Sequence, residues 1–202
     1  DGLRLVQKRG QAMQEAADVS SGAMVSILGL DEEKVRQLCK EAACGQVLEP
    51  VNFNCPGQIV ISGHKEACLR AVKLAEQVGA IKAVPLAVAG AFHTILMLPA
   101  AQKLEQVLEQ TEICDPDDVQ VIANIDAEYY PSAQAIRQGL VKQLIQPILW
   151  QKCMERLIRD QISVFYEIGP GRVLTGLMKR IDRKAKIINI SSAQSFDALP
   201  ND

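Results

Sequence analysis

Residues 47–62 read VLEPVNFNCPGQIVIS, and this stretch decides the fold of the first part of the chain. Two runs rich in strand-forming residues, 47–54 and 58–62, flank the dipeptide Pro56-Gly57. Pro-Gly is a strong turn signal, so the stretch predicts two strands joined by a tight connection. The sequence on either side decides what kind of sheet these strands join.

The flanking sequence supplies the remaining elements of a small α+β lobe. Residues 23–28 are rich in strand formers, and Asp31 is placed to cap the helix that follows. Residues 64–78 put their apolar side chains on one helical stripe, and residues 80–86 predict a closing strand. The order β-α-β-β-α-β predicts a ferredoxin-like lobe over residues 22–86.

The rest of the chain alternates helices with strands, which predicts a parallel sheet in an α/β lobe. This larger lobe comprises residues 1–21 and 87–190, so the ferredoxin-like lobe is inserted into it. Residues 191–202 are polar, lack apolar periodicity and are expected to form a disordered tail. The elements predicted for the larger lobe are helices at residues 2–18, 94–110, 133–145, 151–160 and 173–181, and strands at residues 119–123 and 163–168.

Length and composition limit the class of protein. With 202 residues, 48% apolar and 23% charged, the chain has the composition of an ordinary globular protein with one core or two lobes that share one. The net charge of −2 argues against a nucleic-acid-binding protein, and without a run of about 18 apolar residues no membrane span is predicted. The six cysteines form no Cys-x-x-Cys pair and only two histidines are present, so we expect no metal site and free thiols in a reducing cytoplasm.

One local cluster of positive charge leaves two interpretations open. The cations lie at the end of the predicted helix at residues 173–181, where they suit the negative end of the helix dipole. The same cluster would also fit an anionic partner that docks on it. Its members are Lys179, Arg180, Arg183, Lys184 and Lys186.

Two residues are candidates for chemistry because of their type and position. His93 lies in the sequence AGAFHT at a junction between loop and helix, where Gly90 permits close approach of the backbone. Arg9 lies in the middle of the first helix, and arginine suits bidentate recognition of a carboxylate. Gly10 beside it weakens a helix by about 1 kcal/mol relative to alanine, which suggests close packing or substrate access there. A structural or solvated role is the alternative for both candidates.

Two loops and the second histidine have simpler interpretations. Residues 52–58 read as a connection between strands. Residues 169–172, with sequence GPGR, join a strand to a helix, where a phosphate could bind the helix N-terminus. They lack the G-x-G-x-x-G and the lysine-containing patterns of phosphate loops, so a tight structural turn is favoured. His64 opens an exposed helix and is interpreted as a surface residue.

Five short motifs occur in order along the chain, and none is specific alone. They are Arg9-Gly10-x-x-Met13, Asn54-x-Pro56-Gly57-Gln58, Phe92-His93-Thr94-x-x-Met97, Pro147-x-x-Trp150 and Glu167-x-Gly169-Pro170-Gly171-x-Val173-Leu174-Thr175-Gly176-Leu177. In this order they resemble the malonyl-CoA:acyl-carrier-protein transacylases of fatty-acid synthesis and the acyltransferase domains of polyketide synthases. The match extends from residue 2 to about residue 181.

The resemblance implies a fold and a mechanism. The fold is an α/β-hydrolase-like lobe with an inserted ferredoxin-like lobe. The mechanism is ping-pong transfer of a malonyl group from malonyl-CoA to the phosphopantetheine thiol of acyl carrier protein, through a serine nucleophile in a Gly-His-Ser-x-Gly turn. No cofactor is implied, because the phosphopantetheine is carried by the partner protein.

The resemblance also implies roles for individual residues. His93 is the general base and then the general acid, and Arg9 pairs with the malonyl carboxylate. A backbone carbonyl near the Pro-x-x-Trp segment orients the histidine in the family, and Leu149 is its expected supplier here. Any acceptor at Nδ1 fixes the tautomer of the ring. The other implied substrate-binding residues are Met13, Asn54 and Phe92.

The chain departs from the family in two places. It contains no Gly-x-Ser-x-Gly sequence, and the family's amino-terminal motif of glycines and a glutamine is missing too. We therefore expect the chain to correspond to the carboxy-terminal two-thirds of a longer enzyme, active at full length and inactive alone. Cys55 stands where relatives often have serine, and its use as a substitute nucleophile is the minor alternative.

Two further hypotheses stand beside the transacylase fragment. One is a non-catalytic protein that keeps a malonyl- or carrier-protein-binding surface. The other is a ferredoxin-like RNA-binding module, but residues 58–62 carry none of the aromatic side chains that would stack on bases. The leading hypothesis is a cytoplasmic enzyme, monomeric at full length, that acts on malonyl-CoA and acyl carrier protein and binds neither nucleic acid nor membrane.

Overall fold

The structure, a computed structural model, describes residues 2–88 and 90–197. Helix α1 (Gly2–Val19) leads into the first sheet-forming region. That region contains β1 (Gly22–Leu28), α2 (Glu32–Ala43), β2 (Leu48–Cys55), β3 (Gln58–His64), α3 (Lys65–Ala75) and β4 (Lys82–Pro85). A 3-10 turn (Ile95–Met97) then precedes α4 (Leu98–Glu109), α5 (Ala133–Lys142), α6 (Trp150–Arg159), β5 (Val164–Ile168), α7 (Val173–Ile181), β6 (Lys186–Ile190) and α8 (Ala193–Asp197).

Strands β1 to β4 form one antiparallel sheet in the order β2-β3-β1-β4. β3 is paired on both sides, and its Ile61 lies opposite Val25 of β1. The β-α-β-β-α-β order predicted for residues 22–86 is the order that the structure has. The turn between β2 and β3 falls at Pro56-Gly57, where Gly57 has a φ of +70° that favours glycine.

Helix α2 begins where its sequence predicts. The carboxylate of Asp31 accepts a hydrogen bond from the N–H of Lys34 (2.8 Å), which caps the first turn. The helix stops at Cys44, whose φ of +46° is left-handed. The guanidinium of Arg70 on α3 donates to the last two carbonyls of α2, so the two helices are fastened side by side.

The small sheet is covered on both faces. Helices α2 and α3 cover one face, with a core around Ile27 and Ile61. The opposite face presents Val51 and Val60, which pack against Phe92 in the loop after β4. The sheet therefore supports the loop that carries the candidate histidine.

The second part of the chain contains two further apolar clusters. α1 packs against α4 around Ala16, Met97 and Leu104. β5 and β6 form a two-stranded parallel sheet that packs with α6 and α7 around Cys153 and Met178. Parallel pairing of β5 with β6 agrees with the α/β character predicted for this part.

Hydrogen bonds tie the second part of the chain to the small sheet at the edge of β2. The N–H of Phe53 donates to the carbonyl of Ile148 (2.9 Å), and the N–H of Ile148 donates to the carbonyl of Val51 (2.7 Å). The guanidinium of Arg180 on α7 donates to Oε1 of Gln58 (2.6 Å), next to the β2–β3 turn. The segment before α6 is thereby fixed against the small sheet.

The strand predicted at residues 119–123 is wrong. Of these residues only Ile122 makes a β-bridge, and its partner is the nearby Tyr129. Val119 and Val121 are exposed. A short apolar run becomes a strand only when another strand is available beside it, and here the chain folds back on itself instead.

The carboxy-terminal prediction is corrected in part. Residues 191–202 were expected to be disordered, but residues 193–197 form helix α8. The hydroxyl of Ser192 accepts a hydrogen bond from the N–H of Ser195 (3.2 Å), a local cap that needs no apolar periodicity. Residues 198–202 lie outside the described residues. β6 is a second element that the pattern did not predict, because its five residues form a strand only by pairing with β5.

Large apolar side chains are exposed beside the parallel sheet. Ile168, Val173 and Tyr166 are 79%, 70% and 54% exposed. Parallel sheets are usually covered on both faces, and this surface is uncovered in the described chain. Within the described residues no helix is both long enough and apolar enough to cross a bilayer.

Two helical glycines are expected to respond in opposite ways to alanine. A Cβ at Gly139 on α5 would lie 2.2 Å from the hydroxyl of Tyr130, so the ring would have to move, whereas a Cβ at Gly10 on α1 would meet nothing within 4 Å. Gly10→Ala should raise the free energy of unfolding by about 1 kcal/mol through helix propensity. Gly139→Ala should lower it by about 1–3 kcal/mol because of overpacking. Urea denaturation measures both, and a stabilised Gly139→Ala variant would contradict the packing described.

Candidate active site

His93 lies in a strained turn that a buried threonine holds in place. Its φ of +63° is left-handed, which costs a non-glycine residue about 1–3 kcal/mol and persists only where the surroundings impose it. The fully buried Thr94 donates its hydroxyl to the carbonyl of Ala91 (2.7 Å) and accepts from the N–H of Leu96 (3.3 Å). Strain of this kind concentrates at functional sites, so the backbone itself marks His93 as a candidate.

One hydrogen bond fixes the proton on the His93 ring. Nδ1 lies 2.7 Å from the carbonyl oxygen of Gln143. Because a carbonyl can only accept, Nδ1 carries the hydrogen and Nε2 keeps its lone pair. Nε2 has no hydrogen-bond partner in the described part of the chain. This tautomer is the one that a general base acting through Nε2 requires.

The surroundings of His93 favour its neutral form. The residue is only 8% exposed, and this burial lowers the pKa of the imidazole. The positive charge of Arg9 lowers the pKa further, while the carbonyls of Gln143 and Gln146 raise it. The net pKa lies below the ordinary value of 6.5, so the ring is an unprotonated base at neutral pH.

Arg9 and Met13 lie one turn apart on α1, and both are half-buried. Burial lowers the pKa of the Arg9 guanidinium, but arginine is so strong a base that the side chain stays charged at neutral pH. The charge of Arg9 is close enough to His93 to lower the pKa of the imidazole. Gly10 is exposed with open space around it, so the close packing suggested there is not observed.

Phe92 and Met13 pack against the same apolar cluster, which includes Met97 of the 3-10 turn. Phe92 also fits tightly against Gly90, where a Cβ would lie 2.8 Å from the Phe92 ring. Asn54 is elsewhere, half-buried near the end of β2. The structure thus gathers three of the four predicted substrate-binding residues around α1 and the 3-10 turn, and it places the fourth on the small sheet.

The expectation for Leu149 is wrong, and Gln143 takes its place. Leu149 is the N-cap of α6, and its carbonyl accepts from the N–H of Cys153 (3.0 Å) in the first helical turn. Gln143 is the C-cap of α5, and carbonyls at the end of a helix have no partner inside it. The position of Gln143 at a helix end is the signal in the sequence that could have identified it, but the helix had been predicted to continue to residue 145.

Two other candidates lose their chemical interpretation. Cys55 is 1% exposed, and burial raises the pKa of its thiol, which disfavours a reactive thiolate. Residues 169–172 offer no free helix N-terminus, because the carboxylate of Glu167 accepts from the N–H groups of Leu174 (2.8 Å) and Thr175 (2.9 Å). The anion position at the start of α7 is therefore occupied by the protein's own side chain.

His64 and part of the basic cluster have structural roles. Nδ1 of His64 accepts a hydrogen bond from the N–H of Val47 (3.0 Å). Lys179 donates to the carbonyl of Ala185 (2.6 Å) just beyond α7, and Arg180 binds the β2–β3 turn. These contacts favour the structural interpretation for the two cations, while the other three members of the cluster are exposed.

Comparison with known proteins identifies relatives over almost the whole chain. The malonyl CoA-acyl carrier protein transacylase of Haemophilus influenzae is 42% identical over 199 residues, 98% of this chain and 64% of that protein. That of Escherichia coli K12 is 47% identical over 181 residues, 90% of this chain and 58% of that protein. The chain is homologous to malonyl CoA-acyl carrier protein transacylases. The resemblance inferred from the five motifs is confirmed.

Solved structures of malonyl transacylases are also similar to this chain. The malonyl-CoA:acyl carrier protein transacylase of Xanthomonas oryzae matches with a TM-score of 0.93 at 42% identity, covering 98% of this chain and 62% of that one. A malonyl-transacylase in complex with a type II PKS acyl-carrier protein matches with a TM-score of 0.92 at 46% identity, covering 98% and 64%. A scan of protein-family models found no match. The chain spans 58–64% of the length of these curated relatives.

His93 should make the stability of the chain depend on pH in a defined direction. Above pH 6.5 the ring is neutral in both the folded and the unfolded state and contributes nothing to the pH dependence of stability. Below pH 6.5 the unfolded chain binds a proton at His93 that the buried ring does not bind. The free energy of unfolding therefore falls with falling pH until the lowered pKa of the folded state is reached. The slope is at most about 1.4 kcal/mol per pH unit. Urea denaturation of wild type and His93→Gln between pH 8 and about 5 should show this extra slope in wild type only.

The matched control for this measurement is His64→Gln, which leaves the buried ring unchanged. It should keep the part of the slope that His93 contributes. Identical slopes in wild type and His93→Gln would contradict the burial and neutrality assigned to His93.

Proposed function

We propose that the protein to which this chain belongs transfers a malonyl group from malonyl-CoA to the phosphopantetheine thiol of acyl carrier protein. The observation that carries the proposal is the neutral His93, oriented through Nδ1 with Nε2 free and with the charge of Arg9 nearby. The names of the relatives support the same activity, and one solved relative is in complex with an acyl-carrier protein. The proposed reaction needs no metal or cofactor of the transacylase itself.

The proposed chemistry is ping-pong acyl transfer through a serine. Nε2 of His93 takes the proton of the serine hydroxyl while the serine oxygen bonds to the thioester carbonyl carbon. Nε2 then gives this proton to the coenzyme A sulfur as the C–S bond breaks. The malonyl-serine ester is then attacked by the phosphopantetheine thiol, whose proton passes through the same nitrogen back to the serine oxygen. The serine is not in this chain as a Gly-x-Ser-x-Gly sequence, so the proposal concerns the longer protein.

We propose that Arg9 selects the carboxylated acyl group. A guanidinium binds a carboxylate through two parallel hydrogen bonds, and the desolvation that lowers the pKa of Arg9 also strengthens such a pair. Met13 and Phe92 would line the acyl chain, since they share one apolar cluster. Asn54, on β2, would contact a part of the substrate that lies towards the small sheet.

The division into lobes is part of the same proposal. Residues 22–86 would form a ferredoxin-like lobe, inserted into an α/β-hydrolase-like lobe of residues 1–21 and 87–190. The element order and the sheet order β2-β3-β1-β4 support the first assignment. A cytoplasmic location and a monomeric full-length protein are proposed from the resemblance.

The test of the proposed function compares the 202-residue chain with a longer form. The longer form carries an amino-terminal segment with Gly-His-Ser-x-Gly, and its serine-to-alanine variant is the control. Each is incubated with malonyl-CoA and analysed by intact-protein mass spectrometry, then supplied with carrier protein. The longer form should become malonylated and pass the group to the carrier protein, and the alanine variant should not. Failure of the longer form to do either would refute the proposal.

The 202-residue chain alone should transfer no malonyl group above background. A general base cannot replace the nucleophile that it activates, and each missing oxyanion donor costs about a hundred- to a thousandfold in rate. A non-catalytic protein that keeps the binding surface would behave in the same way but retain affinity for malonyl-CoA. A stable malonylated form of the chain would contradict the expectation, and Cys55→Ala would then test whether that thiol is the acceptor.

Arg9→Ala in the longer form should relax selection of malonyl over uncharged acyl groups. A charge-assisted hydrogen bond contributes about 1.5–3 kcal/mol, so kcat/KM for malonyl-CoA should fall about ten- to a hundredfold while that for acetyl-CoA changes little. Arg9→Lys keeps the charge but loses the bidentate geometry, so its kcat/KM for malonyl-CoA should lie between those of wild type and Arg9→Ala. Unchanged preference for malonyl-CoA in Arg9→Ala would exclude this role.

A further inference from the structure

Gln143 contacts its surroundings through both its backbone and its side chain. Its carbonyl oxygen accepts from Nδ1 of His93 at 2.7 Å. Its side-chain amide nitrogen donates to the carbonyls of Gln146 and Pro147, both at 3.1 Å. One residue thus binds the ring of His93 on one side and the loop before α6 on the other.

The side-chain amide closes a small loop around the carbonyl that meets His93. Gln143 is the C-cap residue that follows α5, anchored by its N–H to the carbonyl of Gly139 (2.8 Å). The peptide group that carries the Gln143 carbonyl is held from one side by a hydrogen bond from the N–H of Leu144 to the carbonyl of Val141 (3.2 Å), and the side-chain amide holds the residues beyond it. An amide group has two hydrogens and satisfies two carbonyls at once, which prevents the following residues from rotating away.

The far end of this loop is also anchored. Ile148 exchanges backbone hydrogen bonds with β2, so residues 143–147 connect a helix end to a sheet edge. The carbonyl of Gln146 is close enough to His93 to raise the pKa of the ring. The loop therefore borders the imidazole at Gln143 and Gln146, and the amide of Gln143 binds two of the carbonyls in it.

We propose that the side-chain amide of Gln143 is a positioning group for His93. By binding the carbonyls of Gln146 and Pro147 it holds its own carbonyl against Nδ1, and so keeps the proton on Nδ1 and the lone pair on Nε2. This inference rests on the proposed function only in naming His93 as the base. The tautomer itself is a property of the chain and can be measured without substrate.

The chain supplies an internal reference for that measurement. Its two histidines are His64 and His93. Nδ1 of His64 accepts a hydrogen bond from the N–H of Val47 (3.0 Å), so its proton must be on Nε2. The two rings therefore hold opposite tautomers, and the long-range nitrogen–proton correlations of a chain labelled with ¹⁵N-histidine distinguish them in one spectrum.

The experiment compares four forms of the 202-residue chain at a pH well above 6.5, where the His93 ring is neutral. Wild type should show His93 as the Nδ1–H form and His64 as the Nε2–H form. Gln143→Met keeps the side-chain length but removes both donors, and the ratio of Nδ1–H to Nε2–H at His93 should fall on the order of tenfold. Gln143→Lys restores a donor and should retain the wild-type tautomer. Gln138→Met, at an exposed position of the same helix, is the matched control and should change nothing.

A pH titration of the same samples separates positioning from general loosening. The carbonyl of Gln143 raises the pKa of His93, so losing that contact while the ring stays buried should lower the pKa further. Exposure of the ring to water would instead raise the pKa towards its ordinary value, and that result would overturn the proposal.

Two tautomer results would also overturn it. The first is that His93 keeps its Nδ1–H form in Gln143→Met. The second is that Gln143→Lys loses the Nδ1–H form as much as Gln143→Met does, because the shape of glutamine and not its hydrogen-bond donors would then be decisive. If Gln143→Met fails to fold, Gln143→Glu replaces it, because an ionised carboxylate has the same shape and no donor. No substrate enters these measurements, so their outcome is independent of the malonyl-transfer assay.

Discussion

The hydrogen bond from Nδ1 of His93 to the carbonyl of Gln143 is the constraint on which the rest of the site depends. A buried donor without an acceptor costs free energy, so this 2.7 Å contact offsets the burial of the ring and also decides which nitrogen carries the proton. It joins the loop after β4 to the end of α5, two segments separated by 50 positions in the chain. The left-handed turn at His93 is kept in place by the same set of contacts, together with the buried hydroxyl of Thr94.

The small sheet is the frame to which both sides of this bond are fixed. One face of the sheet packs against Phe92, the residue directly before His93. The edge of β2 binds Ile148, which ends the loop that follows Gln143. A displacement of the sheet would therefore move the histidine and its acceptor together, which preserves their geometry.

The fold could be predicted where short-range signals decide it. Asp31, the turn at Pro56-Gly57 and the apolar stripe of α3 each act within a few residues, and the elements of residues 22–86 appear in the predicted order. The incorrect predictions concern strands whose formation depends on pairing with another strand. Residues 119–123 resemble a strand but find no strand beside them, while β6 is a strand because β5 is available to pair with it.

The sequence by itself determined that His93 is the candidate base, because the order of five motifs is visible without coordinates. It could not determine which carbonyl orients the ring. Leu149 caps α6, and its carbonyl accepts a hydrogen bond in the first helical turn. By contrast, α5 ends before Gln143 and leaves the carbonyl of Gln143 free. Which free helix-end carbonyl meets a given ring depends on how elements far apart in the chain pack together, and the small sheet sets that packing here. That choice was made by the tertiary structure, since no local propensity carries information about it.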